Sequence, residues 1–406
     1  MEREKLEKKL HEIYEILKIK YKNEKEIGVL SGLSGISLFF FYYSKVFNSN
    51  KSLLTGINIL ESCESIINKE NFKNTFCSGL GGFGWVLEHL SSEGFLEPDN
   101  CLPVEVEDYL YDIMMFEMSK GNYDFLHGSL GYAFYFLKRR KNPENSNNDR
   151  DRYNLILFEF ISLLEKSATI IDENNIKWDS IILSRNNKTK EVYNLGLSHG
   201  VPSIIRFLTK LCEIEEFEMT SKKLLQKTVN YLIQFKNDSN NKISLYPHWI
   251  DNGKNEPIKG GRLAWCYGDL GIGVSLWYAS KVLNDSGLKK ESLNILEHSS
   301  KRRDYTETYV KDAGVCHGSF GNAIIFQRMF KETGSPIFKK ATKFWINDGL
   351  SRSDYKNGYA GFMQINNEGN TYTDLSLLEG ISGIGLSIMI YLTKSNDKWD
   401  ECLLIS

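Results

Sequence analysis

Seven segments of this chain share one arrangement of residues. Each has a glycine, two further residues, a second small residue and then a nearly continuous apolar run. Successive first glycines lie 47 to 72 residues apart. Roughly 40 to 50 residues is the length of a two-helix repeat, so the pattern predicts an array of such repeats. The seven first glycines are Gly32, Gly79, Gly128, Gly200, Gly268, Gly318 and Gly380.

The apolar runs after the glycines predict buried helices. Residues 36–40, 132–136 and 384–388 are apolar at nearly every position. A helix that is apolar on nearly all sides is buried on all sides. A glycine at its start allows a close approach of neighbouring backbones and an unusual dihedral in the entry loop. We therefore expect seven inner helices, one after each glycine motif.

Amphipathic segments between the motifs predict outer helices with one solvent-exposed face. Apolar residues recur at helical spacing within 53–67, 155–164 and 224–235, and residues 2–22 form the first such segment. Alternation of seven inner and seven outer helices predicts an all-α, closed α/α toroid formed by the single domain 1–406. An open solenoid is the alternative, but it needs polar end caps, and its inner helices would not all be so apolar.

Two intervals between motifs are longer than the others. Residues 169–195 and 237–262 combine turn-rich stretches with short β-type runs, which predicts loop-and-strand insertions. The sequence does not decide whether either one forms an extension domain. No composition shift marks a linker between separate domains.

Composition narrows the possible partners and locations. The chain has 406 residues, of which 41% are hydrophobic, and its net charge of −2 indicates no basic surface for nucleic acid. The start is not a signal peptide, and runs such as 36–43 are too short to span a bilayer, so we expect a cytoplasmic protein. Seven scattered cysteines argue against a disulfide framework.

Polar residues occupy the position directly before every first glycine. In a closed ring these positions converge on one cavity, at helix N-termini whose dipoles favour anions. A functional site is therefore expected at this end of the helices. The seven residues are Ser31, Ser78, His127, His199, Tyr267, His317 and Glu379.

Three residues of the fifth and sixth motifs have the side chains that zinc prefers. Cys266, Cys316 and His317 could supply three ligands and leave a fourth position for water or substrate, as catalytic zinc sites do. The alternative is two buried thiols and a capping histidine, and the spacing leaves both interpretations open. Cys77 has the equivalent position in the second motif and is expected to be a packed thiol.

Together the motifs resemble those of the lanthionine synthetase C-like (LanC) family, over essentially the whole chain. The resemblance rests on the seven glycine motifs and on three further stretches. It departs from the family at Ser203, where a glycine is usual, and at Leu270, where a proline is usual. The three stretches are Ser198-His199-Gly200-Val201-Pro202, Trp265-Cys266-Tyr267-Gly268 and Cys316-His317-Gly318.

The resemblance implies a site and an activity. Zinc would be bound by the residues proposed above, and catalytic or substrate-positioning roles would belong to Asp124, His199, Arg262 and Tyr267. The enzyme would be a free-standing lanthipeptide cyclase, which adds cysteine thiols of a dehydrated precursor peptide to dehydroalanine or dehydrobutyrine to form thioether rings.

The resemblance also implies partners and leaves alternatives open. The expected partners are a leader-bearing precursor peptide, a dehydratase and an ABC transporter, and the last would bring the cyclase to the membrane. One alternative function is a zinc-containing module that binds glutathione or another thiol. Another is a structural zinc scaffold, against which the polar residues His199, Tyr267 and Arg262 argue.

Overall fold

Helices make up most of the chain in the computed structural model, which describes residues 2–69, 72–183, 189–237, 243–251, 261–366 and 368–406. Parts of the two predicted insertions, at 184–188, 238–242 and 252–260, lie outside the described residues. The helices in chain order are α1 (Glu2–Lys20), α2 (Leu33–Phe47), α3 (Asn50–Ile67), α4 (Leu80–Ser92), α5 (Val104–Ser119), α6 (Ser129–Arg140), α7 (Asn147–Ser167), α8 (Val201–Leu211), α9 (Glu215–Ile233), α10 (Asp269–Leu283), α11 (Ser286–Ser299), α12 (Tyr305–Thr308), α13 (Ser319–Thr333), α14 (Pro336–Ser351) and α15 (Ile381–Thr393).

Each of the seven predicted inner helices begins directly after the first glycine of its motif. They are α2, α4, α6, α8, α10, α13 and α15, and the first turns of each are buried on all sides. The segments between them form helices with one buried face. In α9, for example, Phe217, Leu224 and Val229 are buried, whereas Met219 and Lys223 are exposed. The predicted all-α class and the alternation of inner and outer helices are confirmed.

The loop before an inner helix doubles back over the start of that helix. The first-turn N–H groups of Ser319 and Phe320 donate to the carbonyls of Asp312 and Ala313, seven residues earlier, at 3.1 and 3.2 Å. The first turns of α2, α4, α6 and α15 make bonds with the same spacing. First-turn N–H groups have no partner inside a helix, so the loop carbonyls satisfy them. These donors are therefore already hydrogen-bonded to the loop.

This doubling back explains why the second small residue of the motif is a glycine. A Cβ atom on Gly383 would lie 1.8 Å from the carbonyl oxygen of Leu377, and one on Gly321 would lie 1.9 Å from that of Val315. In both cases the clash is with a backbone atom, which no side-chain rotation relieves. The repeated glycine is required by this close approach.

Substitution of Gly383 by alanine should therefore destabilise the protein. The added methyl group must displace loop backbone, and we expect the free energy of unfolding to fall by about 1–3 kcal/mol, as for other overpacked sites. Urea unfolding followed by circular dichroism measures this change. Gly287 in α11 is the matched control, because its Cβ would meet only Asp285 Oδ1 at 3.3 Å. Equal stability of Gly383→Ala and Gly287→Ala would contradict the explanation.

The chain divides into two compact units. The first contains residues 1–110, 310–402 and 406, and the second contains 111–309 and 403–405. In the first unit α13 packs on α15, α15 on α2, and α2 on α4. In the second unit α8 packs on both α6 and α10. The last repeat of the chain thus contacts the first, which an open solenoid would not allow.

Backbone hydrogen bonds join the motif loops within the first unit. The N–H of Cys316 donates to the carbonyl of Leu378 at 2.8 Å, and the N–H of Leu378 donates to that of Leu30 at 2.9 Å. The N–H of Leu30 in turn donates to the carbonyl of Cys77 at 3.0 Å. The loops of repeats six, seven, one and two therefore lie side by side, and their polar residues share one end of these helices.

Short antiparallel strands form three small sheets in the described residues. The first insertion contains four strands, and β6 pairs with β7 just before the seventh motif. Among the described helices, none combines the length and apolar character needed to cross a bilayer. The strands are β1 (Thr169–Asp172), β2 (Asn175–Lys177), β3 (Ser180–Leu183), β4 (Thr189–Asn194), β5 (Trp249–Ile250), β6 (Gln364–Ile365) and β7 (Thr371–Tyr372).

Candidate functional site

In the first unit, the loops before α13 and α15 bring three potential metal ligands together. Cys316, His317 and Glu379 each offer a ligand atom, and these atoms all lie within 4.8 Å of one another. All three residues are half-buried. Two of the three predicted zinc ligands are therefore adjacent in space, together with a carboxylate that the sequence did not assign to the metal.

A buried carboxylate lies behind His317. Asp312 Oδ2 is 3.2 Å from His317 Nε2, and Asp312 is only 2% exposed. Burial opposes ionisation of this carboxyl, but hydrogen bonds from His317 and from the N–H groups of Gly314 and Ile365 outweigh it and lower its pKa. Asp312 therefore fixes the imidazole by its Nε2, and a metal would bind at the other ring nitrogen, Nδ1.

The hairpin of β6 and β7 supports this cluster from one side. The hydroxyl of Tyr372 lies 2.5 Å from Glu379 Oε2. Burial, and then the bond to Glu379, raise the pKa of Tyr372, so the phenol stays protonated and donates to the carboxylate. The N–H of Ile365 in β6 donates to Asp312 at 3.3 Å. One short hairpin thus contacts Glu379 directly and supports His317 through Asp312.

In the second unit, Asp124 and His199 form a direct pair. Asp124 Oδ2 lies 2.6 Å from His199 Nδ1, and Asp124 Oδ1 accepts from the N–H groups of Leu126 and His127 at 2.7 and 2.8 Å. Burial opposes ionisation of Asp124, but its bonds to His199 and to His127 lower its pKa. Asp124 is therefore ionised at neutral pH and orients the ring of His199.

The same contacts raise the pKa of His199. Burial by itself would lower it, but the hydrogen bond and the charge of Asp124 outweigh burial, and the nearby Cys266 adds to the effect. His199 keeps 32% of its side chain exposed. It is thus a half-buried histidine that remains protonated to a higher pH than an ordinary one. Asp124, His199 and Cys266 all lie in the loops of repeats three to five.

Tyr267 and His248 continue this cluster. The ring centre of Tyr267 lies 6.2 Å from that of His199 and 5.4 Å from that of His248. The Nε2 atom of His248 accepts from the N–H of Arg262 at 3.2 Å. Burial and the charges of Arg262 and Arg302 lower the pKa of His248 to about 4, so this imidazole is neutral at pH 7. All four predicted catalytic residues lie in the second unit: Asp124, His199, Arg262 and Tyr267.

Two polar residues near this cluster were not singled out for the site by the sequence analysis. Asn194 donates its side-chain N–H to Tyr267 Oη at 3.2 Å, and Ser198 donates to the carbonyl of Cys266 at 3.3 Å. Both contacts join repeat four to repeat five. Cys266 belongs to the second unit and is 6% exposed, and its assignment as a third zinc ligand stays a prediction.

The donor set of the first unit suits zinc. A thiolate, an imidazole and a carboxylate are all ligand types that zinc accepts. A ligating histidine usually donates its other N–H to a carboxylate, which holds the ring in place. His317 and Asp312 have this arrangement. The residues present therefore fit a zinc ion.

A model of the lanthionine synthetase C-like protein family matches residues 4–404, which is nearly the whole chain. The chain belongs to the lanthionine synthetase C-like family. The resemblance seen in its glycine and cysteine motifs is thereby confirmed.

Comparison with solved structures confirms the fold of this LanC-like protein. Nisin cyclase matches with a TM-score of 0.71 and 19% identity, over 98% of this chain and 96% of that chain. This likeness shows the fold and confirms the predicted class, an α/α toroid. Cellobiose 2-epimerase from Bacillus thermoamylovorans matches at a TM-score of 0.47 and 11% identity, over 91% and 89% of the two chains. A sugar epimerase from a ruminal bacterium matches at 0.42 and 11%, over 90% and 87%.

Proposed function

We propose that this LanC-like protein is a zinc-dependent lanthipeptide cyclase. Its substrate is a precursor peptide with a leader segment, cysteines, and Ser or Thr residues already dehydrated. The observation that carries the proposal is the ligand cluster Cys316–His317 with Asp312 behind it, in a chain of this family. Nisin cyclase, which shares the fold, is a cyclase by name.

Zinc is proposed to be held by Cys266, Cys316 and His317, and it would keep a cysteine thiol in the thiolate form. A free thiol has a pKa of about 8.5, so only a few per cent is ionised at neutral pH. Full ionisation is worth up to roughly 2 kcal/mol in nucleophile population. Part of this gain is offset, because a less basic thiolate is also less nucleophilic.

His199 is proposed to supply the proton that completes the addition. When the thiolate attacks the β-carbon of a dehydro residue, a C–S bond forms and an enolate is left at the α-carbon, which must take up one proton. The raised pKa of His199 keeps a protonated imidazole available near neutrality, where a general acid is most effective. Tyr267 and Arg262, in the same cluster, are proposed to stabilise the enolate oxygen.

Asp312 offers a test of the proposed metal centre that does not depend on the substrate. Asp312→Asn removes the carboxylate that fixes His317, and outer-shell partners of this kind typically contribute 10–100-fold to metal affinity. We expect zinc affinity, measured by competition with a chelating dye, to fall by roughly 10–100-fold. Asp354→Asn, in the exposed segment that follows α14, is the control. An unchanged affinity in Asp312→Asn would contradict the assignment of His317.

The activity is tested with a dehydrated, cysteine-containing precursor peptide. We expect incubation with the protein to consume one free thiol per ring without a change in peptide mass, since addition is an isomerisation. Alkylation of the remaining thiols and mass spectrometry count them. A glutathione-binding module would instead bind glutathione and leave the peptide thiols unchanged.

We also propose that the enzyme associates with two other proteins. A dehydrated peptide is reactive, so the cyclase is expected to associate transiently with the dehydratase that makes it and with an ABC transporter. This association would place an otherwise cytoplasmic protein at the membrane. Purification of the tagged cyclase from producing cells should recover both partners, and recovery of neither would count against the complex.

A further inference from the structure

Glu379 is the third member of the metal cluster, and the proposed zinc ligands Cys266, Cys316 and His317 do not include it. It precedes the first glycine of the seventh motif, as His317 does in the sixth. The adjacent carbonyl of Leu378 accepts both the N–H of Cys316 at 2.8 Å and that of Val315 at 3.1 Å. The backbone therefore holds the carboxylate of Glu379 beside the thiol of Cys316.

Contacts with neighbouring groups also restrain the side chain of Glu379. Tyr372 donates to Oε2 at 2.5 Å, which orients the carboxylate. A metal would then bind at the other oxygen, Oε1. Tyr372 lies on β7, directly opposite Gln364 of β6, and the next residue of β6, Ile365, donates to Asp312. The hairpin thus positions Glu379 through Tyr372 and supports His317 through Asp312. Two potential ligands from different repeats share one support.

We propose that Glu379 is a metal ligand of the enzyme without substrate, positioned by Tyr372, and that the thiol of the substrate competes for the place of its carboxylate. The proposal rests on the cyclase function proposed above. Carboxylate oxygen is an ordinary zinc ligand, and one carboxylate completes a four-ligand set with two thiolates and an imidazole. Zinc sites that are closed by four protein ligands are structural, so an exchangeable ligand is needed where a substrate must bind.

Charge also favours this exchange. Two thiolates and a neutral imidazole balance the two positive charges of zinc, so the carboxylate brings the site to −1. A substrate thiolate in place of the carboxylate leaves the net charge at −1. The exchange therefore avoids both an added charge in a half-buried site and an open coordination position when substrate is absent.

Glu379→Gln should change two affinities in opposite directions. The amide is a poor zinc ligand, so zinc affinity in the absence of thiol should fall, by roughly tenfold. The amide also competes poorly, so the zinc-loaded variant should bind a cysteine peptide without dehydro residues more tightly, by roughly tenfold. A merely structural role for Glu379 would weaken both affinities together or leave both unchanged.

Two further variants refine the comparison. Glu368→Gln changes the same residue type on the exposed turn of the same hairpin and should leave both affinities at the parent values. Tyr372→Phe keeps the carboxylate but removes its positioning hydrogen bond. It should shift both affinities in the directions seen for Glu379→Gln, with smaller amplitudes.

Zinc affinity is measured by competition with a chelating dye, and peptide affinity by titration calorimetry of the zinc-loaded protein. Circular dichroism confirms that each variant is folded. Opposite shifts in Glu379→Gln support the proposal. Unchanged or jointly weakened affinities overturn the role of Glu379 as a ligand, but they do not contradict the proposed cyclase function. A parent protein that binds neither metal nor peptide overturns both.

Discussion

His199→Asn should retain its zinc and bind the precursor peptide, yet lose most of its cyclisation rate. Asparagine can still donate a hydrogen bond to Asp124, so the loop geometry of repeats three and four is kept. It cannot donate a proton near neutral pH, and general acid catalysis is typically worth 10²–10⁴-fold. We therefore expect the rate of thiol consumption to fall by roughly 10²-fold or more.

The matched control is His127→Asn. His127 occupies the equivalent position before the third glycine motif, and its ring lies 6.1 Å from that of His199, but its side chain is exposed. This variant should cyclise at close to the parent rate. Parent-like cyclisation by His199→Asn, with unchanged stereochemistry at the α-carbon, would exclude His199 as proton donor and make Tyr267 the next residue to substitute.

The pairing with Asp124 predicts how the rate depends on pH. The protonated form of His199 is lost as the pH rises through its pKa, which Asp124 raises. Removal of that charge in Asp124→Asn lowers the pKa, so the fall in rate should begin at a lower pH than in the parent. Rate profiles of the two proteins between about pH 5 and 9 measure the shift. Coincident profiles would show that Asp124 does not act through His199.

Cys316→Ala should remove the metal and with it the activity. The parent should contain about one zinc per chain, as one site implies. Loss of a thiolate removes one of the proposed ligands, and dialysed Cys316→Ala should hold almost no zinc. The helices should persist, because the apolar inner helices bury their own core without the metal. Elemental analysis gives the zinc content, and circular dichroism gives the helix content.

Cys77→Ala provides the comparison for this result. Cys77 has the same position in the second motif and is buried, but it is not part of the ligand cluster. It should keep stoichiometric zinc, whereas Cys266→Ala should lose it if Cys266 is the third ligand. Retention of a full zinc complement by Cys316→Ala would contradict the proposed metal centre.

The sequence predicts the fold well because the relevant signals are local. Continuous apolar runs such as 36–40 identify buried helices wherever they occur, and the glycine before each run marks its start. The sequence predicts a close backbone approach at these glycines but does not identify the contacting residue. For the second glycine it is a carbonyl six residues earlier, such as that of Leu377 for Gly383, and this contact exists only in the folded loop.

The candidate site is predicted less completely, because its supporting contacts are not local. Cys316 and His317 are recognisable from residue type and position, and so is His199. Glu379 joins them only through the pairing of the loops of repeats six and seven. Tyr372 lies on a strand of two residues, which is too short for an alternating pattern to identify.

One available signal could have identified Asp312. An Asp or Asn occurs six residues before the first glycine in four motifs, and each accepts the N–H two residues further along in an Asx turn. The repeated position marks a residue that shapes the loop, and in the sixth repeat the other carboxylate oxygen contacts His317. The four residues are Asn122, Asn194, Asp312 and Asp374.

The most direct measurement of the central claim is a count of free thiols in a dehydrated precursor peptide incubated with three preparations of the protein. These are the zinc-loaded protein, the same protein stripped by a chelator, and the stripped protein reloaded with zinc. The account predicts thiol loss with the first, almost none with the second and recovery with the third. Equal thiol loss with the stripped and zinc-loaded preparations, or no loss with any of them, would contradict a zinc-dependent cyclase.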